Sequence, residues 1–342
     1  MNLAERGTQS LCEVQPINFE ELIIMLTISA EDTERLLSYH ELIDALRVVF
    51  RSGNKAPLRH HHTLPGNGGA DATLLLMPAW SIDSGFGGIK VVNVNPGNSS
   101  KNLPSISASY LLFDIKTGQH LCLMDASVMT ARRTAAASAL AASYLARPES
   151  SSLLVVGAGK VGSQLPDAFR SVLPIEEVFV WNRSPSQSET LVQRLIDEGW
   201  KASVSYSLED GVRGVDIISC ATLAEQPLIK GEWLASGQHV DLIGSFTPTM
   251  REVDDIALQR AKVFIDTEAA IIESGELQIP LNSGAITKDD IGPSLYEICS
   301  IEKTWRDAGD ITIFKGVGHA VEDLATAILV YKSMNARHSV AV

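Results

Sequence analysis

The chain is short of basic residues, short of cysteine and has no long apolar run, and each shortage closes off a class of function. Lys and Arg number 28 against 41 Asp and Glu, giving a net charge of −13 and a pI near 5.1. A surface of that sign repels phosphate backbones and anionic lipid, which argues against nucleic acid or a membrane as partner. Cys12, Cys122, Cys220 and Cys299 stand far apart and form no Cys-x-x-Cys pair. Neither a disulfide framework nor a zinc site is expected, and no metal is assigned. No apolar stretch reaches the length of a membrane span, and the N-terminus has no basic segment followed by an apolar one. The expectation is a cytoplasmic protein with reduced thiols. Internal repeats and low-complexity tracts are also missing. What remains is ordinary: 342 residues, 45% hydrophobic and 20% charged, enough chain for two domains with their own cores.

The most informative stretch is Leu153–Val156 followed by Gly157, Ala158, Gly159, Lys160, Val161 and Gly162, with a second apolar strand ending at Trp181 and then Asn182, Arg183 and Ser184. It reads as strand, glycine turn, helix and strand, the βαβ unit that binds dinucleotides. Gly157 permits the tight turn, Gly159 removes a side chain where a pyrophosphate approaches, and Gly162 allows close packing of helix on strand. The helix N-terminus offers free N–H groups to the phosphates. An NAD site usually has Asp or Glu after the second strand. Here Arg183 offers a fork to a 2′-phosphate, with Asn182 and Ser184 adding neutral hydrogen bonds, so NADPH is favoured with NADH possible. The alternative is that Arg183 is a solvated loop residue.

The chain organises around this unit. Residues 1–24 look unlike the rest and read as an extension without function. Met25 opens a short strand before Ser29, a helix cap, and the apolar spacing from Glu31 to Phe50 is helical. Strands are predicted at Thr73–Met77, Gly88–Val94, Ser107–Asp114 and Gln119–Met124. Turns at Pro96-Gly97-Asn98, Asn102–Pro104 and Lys116–Gly118 separate them into a mainly antiparallel sheet. Ala126–Leu145 is a closely packed helix. Strands then alternate with helices, at 152–156, 177–181, 202–204, 216–219, 239–243, 263–265 and 311–314. A final amphipathic helix, Ala320–Ser333, returns to the first domain. The fold class is α/β: a doubly wound Rossmann domain over 147–317, and an α+β substrate domain over 25–146 to which 318–342 return.

Several further segments carry a resemblance: Leu76-Met77-Pro78, Gly88–Asn93 around Lys90, Thr130–Ala136 around Arg133, Val240–Pro248, and Phe314–Leu324 with Val317, Gly318, His319, Glu322 and Asp323. In order and spacing, from about Met25 onward, the chain resembles the ornithine cyclodeaminase/mu-crystallin family. The resemblance implies use of NAD(P), action at the α-carbon of a small amino or imino acid, and a homodimer with the N-terminal sheet at its interface. It also implies that Val317 and Gly318 lie against the cofactor, that His319 is near the nicotinamide, and that Arg59, Lys90 and Arg133 hold the substrate carboxylate. The residues agree. Lys90 lies in a strand too apolar to leave a charge unpaired, and Arg133 in an Ala-rich helix facing the expected crevice; a buried cation needs an anion, from substrate or from a structural salt bridge. Arg59 lies in a loop that could leave it in water, and Arg132 reads as surface. Neighbouring arginines would disfavour the Lys90 ammonium, suiting it to give a proton to an imine nitrogen.

Two positions depart from the cyclodeaminase pattern. Phe246 stands where cyclodeaminases carry an Asp that handles the departing ammonia, and Leu75 stands where they carry a Glu. A phenyl ring cannot accept a proton. The expectation is therefore an NAD(P)H-dependent reductase of cyclic ketimine carboxylates, best Δ1-pyrroline-2-carboxylate to L-proline and also Δ1-piperideine-2-carboxylate to L-pipecolate. The rivals are an ornithine cyclodeaminase, an alanine-type dehydrogenase and a non-catalytic NADPH-binding crystallin-like protein. His60-His61-His62 reads as a loop near the crevice rather than a metal site, since adjacent residues of an extended chain point to opposite faces. Asp241 reads as the end of a strand, capping the next turn. Trp80, Trp181 and Trp305 read as packing.

Overall fold

The computed structural model describes residues 25–52, 54, 56–66, 71–95, 97–98 and 103–340. The supposed extension over 1–24, with Cys12, and the turn residues Pro96 and Asn102 lie outside them. Six strands form the first sheet: β1 (Leu26–Ile28), β2 (His60–Leu64), β3 (Ala72–Ser81), β4 (Phe86–Val94), β5 (Ile106–Asp114) and β6 (His120–Asp125), in the order β1-β6-β5-β4-β3-β2. All pairs are antiparallel except β1 with β6. Successive side chains alternate between faces, so the row Met77, Lys90, Tyr110, Met124 lies on one face and is buried. The row Pro78, Ile89, Leu111, Leu123 lies on the other, half-buried to exposed.

Helices α1 (Ala30–Leu36), α2 (Tyr39–Arg51) and α3 (Ala126–Leu145) belong to the inner side. The helical spacing over 31–50 does not make one helix. Ser38 is extended (φ −80°, ψ 144°) and its hydroxyl accepts the Glu41 N–H, so a new helix starts there, as Ser29 starts α1 by accepting from Asp32 N–H. Alanines along α3 keep its surface low, and it packs on both sheets.

The second sheet contains β7 (Ser152–Val156), β8 (Glu177–Trp181), β9 (Lys201–Val204), β10 (Ile217–Cys220), β11 (His239–Leu242), β12 (Ala261–Ile265), β13 (Ile291–Ser294) and β14 (Ile311–Lys315). Their order is β13-β12-β14-β11-β10-β7-β8-β9, every pair parallel. The central strands are continuous apolar runs because helices cover both faces: α4 (Leu165–Arg170), α5 (Pro185–Asp197), α6 (Leu208–Arg213), α7 (Asp255–Arg260), α8 (Ala269–Glu273), α9 (Gly275–Ser283) and α10 (Leu295–Ser300). β13 is not among the strands expected from sequence; Gly292 and Pro293 disfavour a strand interior, and an edge strand tolerates them. The direction of strand addition reverses at β7, which opens a crevice at the carboxyl ends of β7 and β10.

From β14 the chain crosses through Gly316–His319 into α11 (Ala320–Val340), which packs on α2, α3, β3 and β4. The helix returns to the first sheet as expected, but it is not amphipathic at its start. Residues 320–327 are buried on every side, and two carboxylates are buried with them.

Candidate active site

The three glycines of the β7 turn each meet a different constraint. Gly157 has φ +107°, and a Cβ there would lie 2.7 Å from the Ala221 carbonyl across the crevice. A Cβ on Gly162 would lie 1.8 Å from the Gly157 carbonyl, so only glycine lets the helix sit this close. Gly159 has open space around it. The backbone is exposed there, at the start of a helix and over a switch point, and has room for a phosphate group. The helix begins at the loop, with Ser163 N–H bonded to Gly159 O at 2.9 Å, but it runs through one 3-10 turn (Gly162–Gln164) into the short α4. Ala158 and Val161 are half-buried, and Lys160 is exposed.

Beyond β8, Asn182 Oδ1 accepts the Ala158 N–H (3.2 Å), while its Nδ2 donates to Ser184 O (3.1 Å) and Gln187 Oε1 (2.9 Å). Its amide therefore braces the two loops instead of standing free for a phosphate. Arg183 is exposed, and the Ser184 hydroxyl lies 3.2 Å from that of Ser186. On the other wall, Asp266 Oδ2 accepts both the Val317 and Gly318 N–H groups, at 2.7 and 2.8 Å. Gly318 adopts φ +77°.

Next to this wall lie the cations. Lys90, on the inner face of β4, is 2% exposed, and Arg133, on α3, is 5% exposed. Their partners come from the first turn of α11: Lys90 Nζ is 2.7 Å from Asp323 Oδ2, and Arg133 reaches Asp323 Oδ1 through Nε and Glu322 Oε2 through Nη1, both at 2.9 Å. One carboxylate thus bridges both cations. Arg59, just before β2, donates to Gly318 O (2.7 Å) and Val317 O (3.1 Å), and its Nη2 is 3.0 Å from Glu273 Oε2. Gly318 lies between the two guanidinium groups, because a Cβ on it would come within 2.4 Å of Arg133 Nη1. A small cleft opens here, lined by Arg59, Met77, Glu273, Gly318 and His319.

The structure gathers Arg59, Lys90 and Arg133 in one region and pairs them with carboxylates that the sequence reading did not assign. The signal was present: two adjacent acids open a helix that is otherwise apolar. Lys90 pairs in register with Met77 on the neighbouring strand, and neither it nor Arg133 lines the open cleft. Burial lowers the Lys90 pKa to about 8; Asp323 opposes that shift and Arg133 assists it. The direction agrees with the sequence argument, but burial is a larger cause than the arginines. Burial pushes Glu322 up to about 7 against the pull of Arg133. Burial raises Asp323 also, yet Lys90 and Arg133 outweigh it and hold the carboxyl below the usual range. Burial also lowers His319, with Asp266 and Asp323 opposing the shift and Arg59 and Arg133 assisting it.

A second buried network shapes the crevice rim. Glu252 accepts Thr222 N–H (2.8 Å), Thr222 Oγ1 (2.7 Å) and Gly244 N–H (2.9 Å), clipping the loops after β10 and β11 together. Glu276 accepts Ser245 Oγ (3.1 Å) and the N–H groups of Glu252 and Val253. Lys315, fully buried among these acids, donates to Leu242 O at 2.9 Å. Nothing in the local sequence marks Glu252 or Glu276 for this task.

Other expectations change. Phe246 is 36% exposed in the loop that Glu252 and Glu276 hold, and Leu75 is half-buried on β3; neither brings a polar side-chain atom. His60-His61-His62 is not a loop: it forms the exposed edge strand β2, paired with β3, where alternation sets His60 and His62 on one face with ring centroids 6.5 Å apart. Asp241 caps no turn; it lies inside β11, receives the Ser219 hydroxyl, and is pushed up to about 6 by burial. Arg132 is not simply surface, since it stacks on Tyr39 and donates to Leu37 O at 2.8 Å. Trp181 and Trp305 pack as expected, whereas Trp80 is 48% exposed on the outer face of the first sheet.

The comparisons with known proteins agree with this architecture. The Δ1-pyrroline-2-carboxylate reductase of Paracoccus denitrificans is 39% identical over 300 residues, covering 84% of this chain and 94% of that protein. The solved structure of Thermococcus litoralis Δ1-pyrroline-2-carboxylate reductase, in complex with NADH and L-proline, superposes with a TM-score of 0.86 at 33% identity over 92% of this chain and 98% of that one. An archaeal alanine dehydrogenase dimer with bound NAD gives 0.84 at 31% identity, over 92% and 97%. The family model described as the ornithine cyclodeaminase/mu-crystallin family matches residues 24–338. With a doubly wound sheet, a glycine cradle and a cation cluster at the crossing between the two sheets, the chain belongs to the ornithine cyclodeaminase/mu-crystallin family.

Proposed function

We propose that this chain is an NAD(P)H-dependent oxidoreductase that reduces cyclic ketimine carboxylates, Δ1-pyrroline-2-carboxylate to L-proline and its six-membered homologue to L-pipecolate. One observation carries the reading: Arg59 and Arg133 meet at Gly318, where the chain leaves the dinucleotide-binding sheet, and Lys90 joins them through the Asp323 carboxylate that it shares with Arg133. Cations gathered beside a nicotinamide site suit a small carboxylate whose α-carbon is to receive a hydride. The solved relative that carries NADH and L-proline together supports the same pairing.

The dinucleotide is held by residues 157–162 at the pyrophosphate, by Arg183 and Ser184 at the ribose, with Asn182 bracing their loop, and by the Val317–Gly318 backbone near the nicotinamide. The chemistry supplied by the bound coenzyme is delivery of a hydride to the imine carbon. Arg59 takes the substrate carboxylate at the cleft, with Arg133 and Lys90 behind it. Hydride addition to the iminium leaves a neutral amine, and Lys90, lowered to about 8 and still largely an ammonium at neutral pH, supplies the proton which that amine takes up. Phe246 and Leu75 stand without a carboxylate at the two positions where the resemblance implies that cyclodeaminases carry theirs, which favours the reductase over the lyase. NADPH is preferred through Arg183. The row Pro78, Ile89, Leu111, Leu123 and the exposed Trp80 form an apolar outer sheet face suited to a second copy of the chain in a homodimer.

The test is oxidation of NADPH, and separately of NADH, followed at 340 nm with freshly generated Δ1-pyrroline-2-carboxylate, beside an assay of ammonia release from ornithine. Rapid oxidation without ammonia release is the expected result. Ammonia from ornithine with no coenzyme oxidation would refute the reading. In the same assay Lys90→Met abolishes turnover and leaves NADPH binding intact.

A further inference from the structure

The three cations all have protein carboxylates as partners, but the partners differ in access. Glu322 and Asp323 are completely buried. Glu273 lies in the cleft itself with Arg59, their side chains 15% and 12% exposed. The two approach from opposite walls, Arg59 from the chain leading into β2 and Glu273 from the end of α8. Arg59 keeps two backbone carbonyls as partners besides Glu273. Among the described residues Glu273 Oε2, although shielded from solvent, accepts no hydrogen bond, and its one partner is the Arg59 charge. A carboxylate that is nearly buried with its hydrogen-bonding capacity unmet is costly unless something fills it.

We propose that Glu273 is the counter-ion of the substrate's ring nitrogen. This rests on the reductase reading and deepens it. A protonated cyclic imino acid is a zwitterion, with its carboxylate on the carbon adjacent to the cationic nitrogen. On binding, the carboxylate displaces Glu273 from Arg59, and the N–H of the iminium then donates to the released Glu273 carboxylate. One ion pair becomes two, and no charge is left alone in the cleft. A ligand with a carboxylate but no cationic nitrogen, such as a 2-oxo acid, takes Arg59 and strands Glu273 without a partner. Glu273 thus selects imino acids against oxo acids by penalising the wrong ligand as well as holding the right one. Its part is that of a counter-ion and not of a proton donor.

The experiment uses the coenzyme-loaded protein and two inhibitors of imine reduction, zwitterionic L-proline and cyclopentanecarboxylate, the isosteric anion without nitrogen. In the wild type L-proline binds more tightly than cyclopentanecarboxylate by about tenfold or more, as a charge-assisted hydrogen bond requires. In Glu273→Gln the Ki for L-proline rises by about the same factor, while that for cyclopentanecarboxylate is unchanged or lower, because Arg59 has lost its competitor. Equal weakening of both ligands would mean that Glu273 only props Arg59, and would overturn the proposal, as would no change in either. If Glu273→Gln does not fold, the wild-type ratio decides alone, and equal affinities refute it. Wild-type protein that reduces the imine yet binds the two equally loses the Glu273 assignment and keeps the reductase reading; protein that neither reduces the imine nor binds L-proline more tightly than cyclopentanecarboxylate loses both.

Discussion

Replacing Asp323 by Asn probes the buried cation cluster most directly. The side chain keeps its size, but Lys90 Nζ and Arg133 Nε lose the one negative charge they share. Breaking a buried ion pair from one side costs roughly 3–5 kcal/mol, because the other charge is left uncompensated. Two cations put this case toward the upper end, but Lys90 has an escape. Its pKa is about 8 with Asp323 present and moves lower without it, so losing the proton at pH 7 costs at most about 1.4 kcal/mol. The loss in Asp323→Asn at pH 7 is therefore about 3–5 kcal/mol. As pH rises through 8 the wild type also gives up the Lys90 proton, so the two proteins converge and the loss at pH 9 is about 1 kcal/mol smaller than at pH 7. Urea unfolding of both proteins at the two pH values measures this. A loss below about 1 kcal/mol at pH 7, or one that grows with pH, would refute the reasoning.

Three further outcomes are expected. The glycines of the β7 turn should separate binding from folding: Gly159→Val, at an open position, changes stability by less than about 0.5 kcal/mol while weakening NAD(P)H binding, whereas Gly162→Ala, against the Gly157 carbonyl, costs about 1–3 kcal/mol or more; thermal shift with and without coenzyme distinguishes them. Arg183→Ala should raise the Kd for NADPH about 10- to 100-fold and leave NADH nearly unchanged, the loss of a charge-assisted phosphate contact; equal effects on both coenzymes would remove Arg183 from the 2′-phosphate site. Glu322 carries a folded-state pKa of about 7 against 4.5 unfolded, so the native state binds the extra proton and stability falls as pH rises from about 4.5 to 7. In Glu322→Gln the slope of stability against pH over that window should be less negative by up to about one proton, and an unchanged slope would place the proton elsewhere.

The sequence by itself determined what depends on neighbours along the chain. The glycine spacing of residues 157–162 and its flanking strands announced the βαβ unit, since a turn, an open approach and a close packing each exclude a side chain. The apolar stretch around Lys90 announced a buried strand, and the alanines of α3 a helix packed on both sides. Local signals failed where a tertiary neighbour outweighed them. His60-His61-His62 is a strand because β3 offers an edge to pair with, Gly292 and Pro293 are tolerated in β13 because no strand lies beyond it, and the start of α11 is buried all round because sheet and helices surround it.

The partners of the cations were decided only by the tertiary structure. A lone charge in an apolar context demands an anion, and sequence can state that demand without saying who meets it. Asp323, Glu322 and Glu273 meet it from helices 180 to 240 residues away along the chain or more than 200 from Arg59, because α11 returns beneath the first sheet and α8 ends at the opposite wall of the cleft. Coulomb attraction depends on distance in space, and only the fold sets that distance.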